Sequence, residues 1–414
     1  MKKMGRRSVH WVLVAGLLLG CDPPKTAAGG RQSCTLLGTG DVRCWGYGQY
    51  GVLGYGNTTN IGDNETPASA RTVAVGGTVT QLVPGYYHTC ALLEGGRVRC
   101  WGRGEFGMLG YGNTRNIGDD ETPASAGDVN VGGTVKQLAA GYYHTCALLN
   151  SGFVRCWGQG QFGQHGYGHV RNIGDDETPA SAGNVSLGGR AIQIEAGGFH
   201  TCAILESGAV RCWGAGHSGQ LGYAVPGLVA VGDTELPSAM LPVNVGGEVD
   251  QISLGEMHTC ALLTSGKLRC WGYGEYGQLG YGNRNTIGDN EAPATAGDIR
   301  VGENVVYVSA GGQFTCVITS SLAVRCWGEN LFGQLGYGDR RNRGDDELPS
   351  SYGAVNLGGR VTSLSAGYSH SCVRTEDGEV RCWGSGGGGK LGYARTADIG
   401  DDELPVTAGV VAVE

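Results

Sequence analysis

The chain has 414 residues, of which 79 are glycine, and only 16% of the residues are charged. The low charge content excludes a charge-rich disordered chain, and the glycines follow no collagen-like period. The formal net charge is −8, and an acidic chain is a poor partner for nucleic acid because phosphate contacts require lysine and arginine.

Basic and apolar residues at the N-terminus predict an export signal. Four of the first seven residues are basic, and residues 11–19 form an apolar stretch too short to span a bilayer, so we predict a signal peptide over residues 1–20. The Leu-Leu-Gly-Cys sequence that ends at Cys21 resembles a bacterial lipobox. It predicts a lipid on Cys21, a short anchor linker over residues 21–28 and a place in the bacterial cell envelope, either periplasmic or at the cell surface. Ordinary secretion with an unrelated cysteine is the alternative.

The cysteine count supports the lipid hypothesis. Fourteen of the 15 cysteines form pairs with the spacing C-x9-C, so Cys21 is the one left over. Disulfides indicate an oxidising compartment, and zinc, which favours C-x2-C spacing, is the rival explanation. The predicted disulfides are Cys34–Cys44, Cys90–Cys100, Cys146–Cys156, Cys202–Cys212, Cys260–Cys270, Cys316–Cys326 and Cys372–Cys382.

Each cysteine pair brackets a predicted β-hairpin, as in TCAILESGAVRC over residues 201–212. Alternating apolar residues flank a three-residue loop in which Gly208 takes the left-handed position. Pairing of the flanking residues then places Cys202 opposite Cys212, at a separation suited to a disulfide. Glycine recurs at this turn in six hairpins, but Leu322 replaces it in the sixth repeat, where we expect a different turn.

The second cysteine of each pair is followed by Trp-Gly, and these tryptophans recur every 56 residues, with one interval of 58. Such a period, built of strands without helices, is typical of a propeller or solenoid. The G-x-G-x-x-G string that follows, first at residues 46–51, looks like a dinucleotide-binding turn. That turn must open a helix, whereas here further glycine-rich loops follow, so we assign the glycines to turns and close backbone packing.

In register, the unit reads HTCAILESGAVRCWGAGHSGQLGY over residues 200–223. It resembles the regulator-of-chromosome-condensation repeat, whose pattern runs roughly H-[ST]-x-A-L-x-x-x-G-x-V-x-x-W-G-x-N-x-x-G-Q-L-G. The resemblance covers residues 29–414 in seven units and implies an all-β fold, a seven-bladed β-propeller of four-stranded blades. The paired cysteines depart from the nuclear members and suit a secreted bacterial version.

The ends of the chain predict how the propeller closes. The first unit starts late, and VVAVE over residues 410–414 lines up with VNVGG, which starts at residue 129. We expect this C-terminal strand to pair into the blade begun by the N-terminal hairpin, which would leave no open blade edge.

Two repeated polar features raise metal hypotheses. A histidine precedes Thr-Cys or Ser-Cys in five repeats, and the family resemblance implies a structural role for it, in hydrogen bonds between blade segments. An acidic loop before proline, such as GDNETP at residue 62, recurs in all seven repeats and carries oxygen ligands that suit Ca²⁺, with Asp63, Asp119 and Asp175 as candidates. An Asx-type turn is the alternative, and we expect no other metal and no cofactor.

The repeats vary most at the two residues before the histidine position, which should lie together on one rim of the ring. In one member of the family the similar stretch, G-W-R-H-T, lies on the face used for association, so the resemblance implies that GYYHT at residues 85 and 141 marks a binding face. Tyrosine is a good anchor because it is large, rigid and amphipathic. Packing of the rings against the next blade is the alternative. The candidate partner-binding residues are Tyr86, Tyr87, Tyr142, Tyr143, Phe199, Met257 and Tyr368.

No nucleophile or carboxylate stands in a context unique to one repeat, so the sequence predicts no catalytic residue and no enzyme. The prediction is a lipid-anchored envelope propeller that binds a protein partner without catalysis. Two alternatives remain. One is an inhibitor of an extracellular enzyme, by analogy with a β-lactamase-inhibiting protein of this fold class; the other is a glycan-binding protein.

Overall fold

The computed structural model describes residues 25–414, so Cys21 and the predicted signal peptide lie outside the described residues. Seven antiparallel sheets follow one another along the chain, one for each repeat. The three strands of a repeat pair in chain order, and the first strands of all seven sheets line one central channel. The expected all-β fold with seven blades is therefore confirmed.

Each sheet runs from the channel outward. The inner strands are β1 (Thr26–Ala28), β4 (Val79–Pro84), β7 (Val135–Ala140), β10 (Ala191–Ala196), β14 (Val249–Leu254), β17 (Val305–Ala310) and β20 (Val361–Ala366). The middle strands, which carry the first cysteine of each pair, are β2 (Gln32–Leu36), β5 (His88–Leu93), β8 (His144–Leu149), β11 (His200–Leu205), β15 (His258–Leu263), β18 (Phe314–Thr319) and β21 (His370–Thr375). The outer strands, which carry the second cysteine and Trp-Gly, are β3 (Val42–Gly46), β6 (Arg97–Gly102), β9 (Val154–Gly158), β12 (Val210–Ala215), β16 (Leu268–Gly272), β19 (Val324–Gly328) and β22 (Val380–Gly384).

The described helices are all single turns. One set follows the acidic loops, and each begins with proline, whose fixed φ suits the first helical position: Pro67–Ser69, Pro123–Ala126, Pro179–Ala182, Pro237–Ala239, Pro293–Ala296, Pro349–Ser351 and Pro405–Ala408. The others are Gln49–Gly51, Glu105–Gly107 and Gly387–Gly389. Within residues 25–414, no helix has the length and apolar character needed to cross a bilayer.

Four-stranded blades were expected, but six of the seven sheets have three strands. The segment after the outer strand usually meets it at one isolated bridge, as Ile61 meets Gly46, and only in the fourth sheet does it form a two-residue strand, β13 (Ala230–Val231). The residue after Ile61 is Gly62, whose φ of +94° takes the chain out of the extended conformation. Because a glycine with positive φ stands at this point in every repeat, the pairing ends there, and the fourth strand is at most two residues long.

The hairpins have the predicted register. Leu205 N donates to Ala209 O at 2.9 Å, and Cys202 lies directly opposite Cys212. All seven predicted cysteine pairs are bonded, with Cα–Cα separations of 4.0 to 4.1 Å. Each disulfide therefore links the middle and outer strands of one blade.

The expectation of a different turn at Leu322 is wrong. Leu322 has a φ of +62° and donates its N–H to Thr319 O at 2.8 Å, as Gly208 does to Leu205 O. A leucine in the left-handed region costs on the order of 1–2 kcal/mol. The side chain is 8% exposed, so its burial offsets that cost and the turn keeps the geometry of the other repeats.

The structure also revises both ends of the chain. Thr26–Ala28 forms β1, so the first sheet begins inside the segment predicted as an anchor linker. Residues 410–414 form no strand in the described structure, and Val411 N bonds to Val380 O of its own repeat. The expected pairing of the C-terminal strand with the N-terminal hairpin is therefore wrong, because the tail follows the course of the same segment in the other repeats.

The first and seventh repeats are nevertheless bonded to each other. Tyr368 N donates to Gly29 O at 3.1 Å, which is the bond that Gly312 N makes to Gly367 O of the next repeat at 3.1 Å. The C-terminal segment contributes too, because Ala412 O accepts the N–H of Ala68 at 2.9 Å. Backbone bonds between neighbouring blades thus recur between the two ends of the chain.

Polar side chains bind successive blades in a repeated pattern. His88 Nε2 lies 2.8 Å from Thr145 Oγ1, and Thr145 donates to Met108 O at 3.1 Å. Because the threonine proton goes to the carbonyl, His88 must donate through Nε2. Trp157 Nε1 donates to the same carbonyl at 3.0 Å. The histidine position is therefore a link between blades, as the family resemblance implied.

Glutamines cover the inner edges of the sheets. Gln81 Nε2 donates to Leu138 O at 2.9 Å, and Gln81 Oε1 accepts from Leu138 N at 2.8 Å. Gln137 makes the same two bonds to Ile194. These side chains satisfy backbone groups of edge strands that would otherwise face the channel unpaired.

Candidate functional site

The central channel encloses a cavity of about 200 Å³ lined by all seven inner strands and the turns that follow them. The first variable position of each repeat lies at this end of the channel, and three of these positions are tyrosines. The ring centroids of Tyr86 and Tyr142 are 4.9 Å apart, those of Tyr86 and Tyr368 5.1 Å, and those of Tyr142 and Tyr368 5.8 Å. Three blades that are not all adjacent in sequence thus place their rings together over the channel mouth.

The second variable position continues this cluster outward. Tyr87 lies 5.6 Å from Tyr143, and Tyr143 lies 6.1 Å from Phe199, all as ring-centroid distances. The guanidinium of Arg31 lies 4.9 Å from the centroid of the Tyr87 ring, a cation–π distance. We call Tyr86, Tyr87, Tyr142, Tyr143, Phe199 and Tyr368 the aromatic face.

Met257, the remaining candidate, makes no ring contact with the aromatic face in the described structure. It lies in the fifth repeat, next to the repeat of Phe199, and the Ser218 hydroxyl is 3.8 Å from its sulfur. The structure therefore brings six of the seven predicted partner-binding residues into one surface, and leaves Met257 beside it.

Sequence reasoning missed a further set of aromatic residues, because the G-x-G-x-x-G strings were assigned to turns alone. Tyr50 lies 6.2 Å from Tyr87, and Phe106 lies 5.9 Å from Tyr143. Phe162 is likewise 5.6 Å from Phe199. These residues could have been noticed in the sequence, because each one stands just before the last glycine of its string. In the structure they extend the aromatic face outward.

The conformation of this loop depends on a glutamine two residues later. Phe162 N donates to Gln164 Oε1 at 2.9 Å, and three other repeats have the equivalent bond. Where valine or methionine replaces the glutamine, the aromatic residue has positive φ, +62° at Tyr50 and +60° at Phe106. The structure thus holds Tyr50 and Phe106, both partly exposed, in a backbone conformation that costs on the order of 1–3 kcal/mol each.

The other half of the mouth is acidic. Glu256 Oε2 accepts from Gln313 Nε2 at 2.8 Å, and Glu329 Oε2 accepts from Gln334 Nε2 at 3.2 Å. Burial raises the pKa of Glu256, and burial together with Glu256 raises that of Glu329. The channel mouth therefore presents aromatic rings and arginine on one side and two partly desolvated carboxyl groups on the other.

The carboxyl group of Glu256 affects the pKa of the tyrosines at the channel mouth. Burial raises the pKa of Tyr142 far above its usual range, with Glu256 as the next cause, and the same two causes raise the pKa of Tyr368 to about 12. Both side chains therefore remain neutral phenols at physiological pH. Their rings are available for apolar, stacking and cation–π contacts rather than for acid–base chemistry.

The histidines stay structural. Burial lowers the pKa of His88 to about 4 and that of His144 to about 3, so both rings are neutral at pH 7. Nε2 of each histidine is hydrogen-bonded to the neighbouring blade. In His200, for example, Nε2 lies 2.9 Å from Thr259 Oγ1. A metal at this position would have to compete with that bond.

The candidate calcium ligands divide into two groups. Asp119 and Asp175 are each followed by two acidic residues, and the ligand atoms of each triplet lie within 4.8 Å of one another. Asp63 belongs to no such triplet in the described part of the chain. In all three loops the aspartate accepts from an asparagine three residues earlier, as Asp119 does from Asn116 at 3.2 Å, so turn stabilisation accounts for its presence.

One unique polar pair was also missed. Lys390 occupies the position of the loop glutamine in the seventh repeat, and its Nζ donates to Ser369 Oγ at 2.8 Å. Burial lowers the pKa of Lys390 to about 8. Lys390 is therefore a polar residue specific to one repeat, which the sequence analysis did not single out. Both side chains are only 5% exposed, which leaves no open approach for a substrate.

Comparisons with known proteins decide the family. The model of the RCC1-like domain matches residues 14–293, and models of the regulator of chromosome condensation (RCC1) repeat match residues 305–334, 361–389 and 324–374. The chain belongs to the RCC1 family. A relative within this family, the ultraviolet-B receptor UVR8 of Arabidopsis thaliana, is 31% identical over 376 residues, which cover 90% of this chain and 79% of the receptor.

Other RCC1-family proteins match over much of the chain. The human E3 ubiquitin-protein ligase HERC2 is 28% identical over 96% of this chain, but the match spans only 7% of HERC2. The crystal structure of yeast RCC1 (Prp20), solved with Kap60, superposes with a TM-score of 0.70 at 20% identity and covers 98% of this chain and 91% of that one. This last likeness supports the RCC1 fold and not a shared activity.

Proposed function

We propose that this RCC1-family chain is a non-catalytic scaffold that binds a protein partner through the aromatic face. The observation that carries the proposal is the convergence of tyrosines from three blades over the channel mouth, with ring centroids 4.9 to 5.8 Å apart. Partly exposed tyrosines with fixed rings provide large contact area at low entropic cost, which is typical of protein interfaces.

The charge pattern supports a specific partner. Arg31 and Arg103 lie over tyrosine rings on one side of the mouth, whereas Glu256 and Glu329 lie on the other. An interface with separated charges favours one orientation of its partner and disfavours like-charged surfaces. Yeast RCC1 (Prp20) also binds proteins, since its structures were described bound to Kap60 and together with its binding properties to Gsp1p and histones. This chain requires a different partner if it is exported.

The proposal places the scaffold outside the cytoplasm. Seven disulfides are typical of proteins that fold in an oxidising compartment. We further propose that a lipid on Cys21 anchors the chain to the bacterial envelope. A Cys21→Ser variant should then move from the membrane fraction to the soluble fraction, and equal membrane retention by that variant would contradict the anchor.

A capture experiment tests the binding surface. Envelope extracts are passed over the wild-type protein and over a Tyr87→Ala, Tyr143→Ala double variant, and captured proteins are compared by mass spectrometry. Leu241→Ala is the matched control, because Leu241 is 82% exposed and lies on a loop outside the aromatic face. The proposal predicts a protein captured by wild type and control and lost with the double variant.

Equal capture by all three proteins would overturn the assignment of the face. The same variants separate the alternative functions. Inhibition of a secreted hydrolase would identify an enzyme inhibitor, and binding on a glycan array would identify a glycan-binding protein, in each case only if the double variant loses it.

A further inference from the structure

The inner strands place one residue of each repeat at the same level of the channel, directly opposite the first cysteine of that repeat. In six repeats this residue is small or apolar or is a serine, and in the fourth it is Glu195. The seven residues are Ala27, Val83, Ala139, Glu195, Ser253, Ser309 and Ser365. One carboxyl group therefore stands in a ring that is polar on one side and apolar on the other.

The serine hydroxyls accept hydrogen bonds from backbone N–H groups, whereas the glutamate carboxyl group does not. Ser253 Oγ accepts from Ala310 N at 2.9 Å, and Ser309 Oγ accepts from Ala366 N at the same distance. Each hydroxyl thus holds the inner edge of the next blade. Glu195 lines the cavity, where its side chain is partly exposed, and makes no hydrogen bond or ion pair to any residue that the structure describes.

The cavity has no positive charge to balance its carboxyl groups. Glu195 and Glu256 line it, together with the phenols of Tyr86, Tyr142, Tyr307 and Tyr368, and none of its described lining residues is lysine, arginine or histidine. A buried carboxylate without a counter-ion is unfavourable by several kcal/mol in general, so such a group either stays protonated or meets a cation.

We propose that the central channel binds an alkylammonium group, with its nitrogen at Glu195 and its chain against the apolar side of the ring. A volume of about 200 Å³ holds roughly six groups of the size of a water molecule or a methylene, which suits an amine with four carbons. A divalent metal fits less well, since Ca²⁺ takes six to eight oxygen ligands and the serine oxygens already accept backbone N–H groups.

The aromatic mouth fits the same ligand. Tyr86, Tyr142 and Tyr368 cover the entrance, and a cation that passes them exchanges water for aromatic faces and for the Glu256 carboxylate. Binding of a free amine does not require a protein at the rim, so the inference goes beyond the proposed function. The same chemistry also belongs to a lysine side chain of a protein partner.

Protonation gives the site a second signature. Burial raises the pKa of Glu195 to about 8, so the empty site is mostly protonated at pH 7. Binding of a cation favours the carboxylate and must release a proton. A merely structural glutamate would not couple amine binding to proton release.

The test is calorimetric titration of the full chain with n-butylammonium chloride at pH 7, repeated in two buffers of different ionisation enthalpy. n-Butanol is the uncharged control ligand. Glu195→Gln removes the charge at constant shape, Glu256→Gln removes it at the mouth, and Glu206→Gln is the control at an exposed hairpin. A further pair of titrations compares acetyl-Gly-Lys-Gly-amide with the same peptide in which norleucine replaces lysine.

We expect one n-butylammonium per chain, release of a fraction of a proton, and no binding of n-butanol. Glu195→Gln should weaken binding at least tenfold and abolish proton release, Glu256→Gln should weaken it less, and Glu206→Gln should bind like wild type. Binding of the lysine peptide would identify a protein side chain as an admissible source, and binding of the free amine alone would identify small amines. Absence of amine binding, or equal binding by wild type and Glu195→Gln, would overturn the proposal without affecting the capture experiment.

Discussion

His370 Nε2 lies 2.8 Å from Ser33 Oγ, although the two residues are 337 positions apart. This is the contact that His88 makes with Thr145 of the next repeat. Ser33 also donates to Lys390 O at 2.9 Å, as threonine does to the equivalent carbonyl elsewhere. The last repeat therefore contacts the first one as each other repeat contacts the next. The stability of the whole fold should depend on residues at both ends of the chain.

Deletion of residues 410–414 should lower the melting temperature by several degrees. The tail buries Val411 and Val413, and it supplies carbonyls to Ala68 and Arg43 of the first repeat. Loss of two buried valines costs on the order of 1.5–3 kcal/mol each. Removal of Glu414 alone, which is exposed, is the control. A melting temperature unchanged by the longer deletion in scanning calorimetry would show that the tail does not join the repeats.

Acid should destabilise the protein through its buried histidines. Burial lowers the pKa of His88 from 6.5 to about 4, so the unfolded state takes up protons first as the pH falls. The stabilisation is complete above pH 6.5 and is lost progressively toward pH 4, by roughly 3 kcal/mol for this residue. The equivalent residue of the first repeat is Gln32, which bonds to Thr89 Oγ1 at 3.2 Å.

His88→Gln copies that natural arrangement and should reduce the loss of unfolding free energy between pH 7 and pH 4. Denaturant titrations at several pH values measure the slope. An identical pH dependence in wild type and variant would exclude His88 as a titrating group.

Glu195 should act in the opposite direction. Because burial raises its pKa from 4.5 to about 8, the folded state holds the proton longer than the unfolded state does. The associated stability is complete below pH 4.5 and is lost as the pH rises through 8, at most about 5 kcal/mol in all. Glu195→Gln should therefore be more stable than wild type at pH 8.5 and equal to it near pH 4.5. Lower stability of the variant at both pH values would contradict a neutral, unpaired carboxyl group.

Peptide mapping of the unreduced protein should recover seven disulfides, each within one hairpin. The short loops that they close contribute up to about 3 kcal/mol apiece by chain entropy, less where the hairpin already holds its strands together. Bridges between different repeats, or free thiols at these positions, would contradict the register of the blades.

The repeated features of the fold were predictable from the sequence because each rests on local geometry. The C-x9-C spacing and the turn glycine fix the hairpin register, so the pairing of Cys202 with Cys212 follows. Leu322 was misjudged because its turn is imposed by the flanking strands, and side-chain burial offsets the strain. The missing fourth strands were likewise hidden, since family resemblance does not reveal that Gly62 ends pairing after one bridge.

The candidate site was predictable only in part. Variation between repeats located the tyrosines, but their convergence depends on contacts between distant blades, such as Tyr86 with Tyr368. The aromatic residues at Tyr50 and Phe106 were hidden because their direction depends on a missing glutamine hydrogen bond two residues later. Glu195 gave no signal at all, since a glutamate in a strand is ordinary until the strand is found to line a channel.

Site-specific photo-crosslinking in the exporting cell tests the central claim most directly. A photoreactive phenylalanine analogue at Tyr87 or Tyr143 should give the same discrete adduct with a partner protein, and the analogue at Leu241 should give none. No adduct from the two tyrosine positions, or the same adduct from Leu241, would show that the aromatic face is not where this propeller meets its partner.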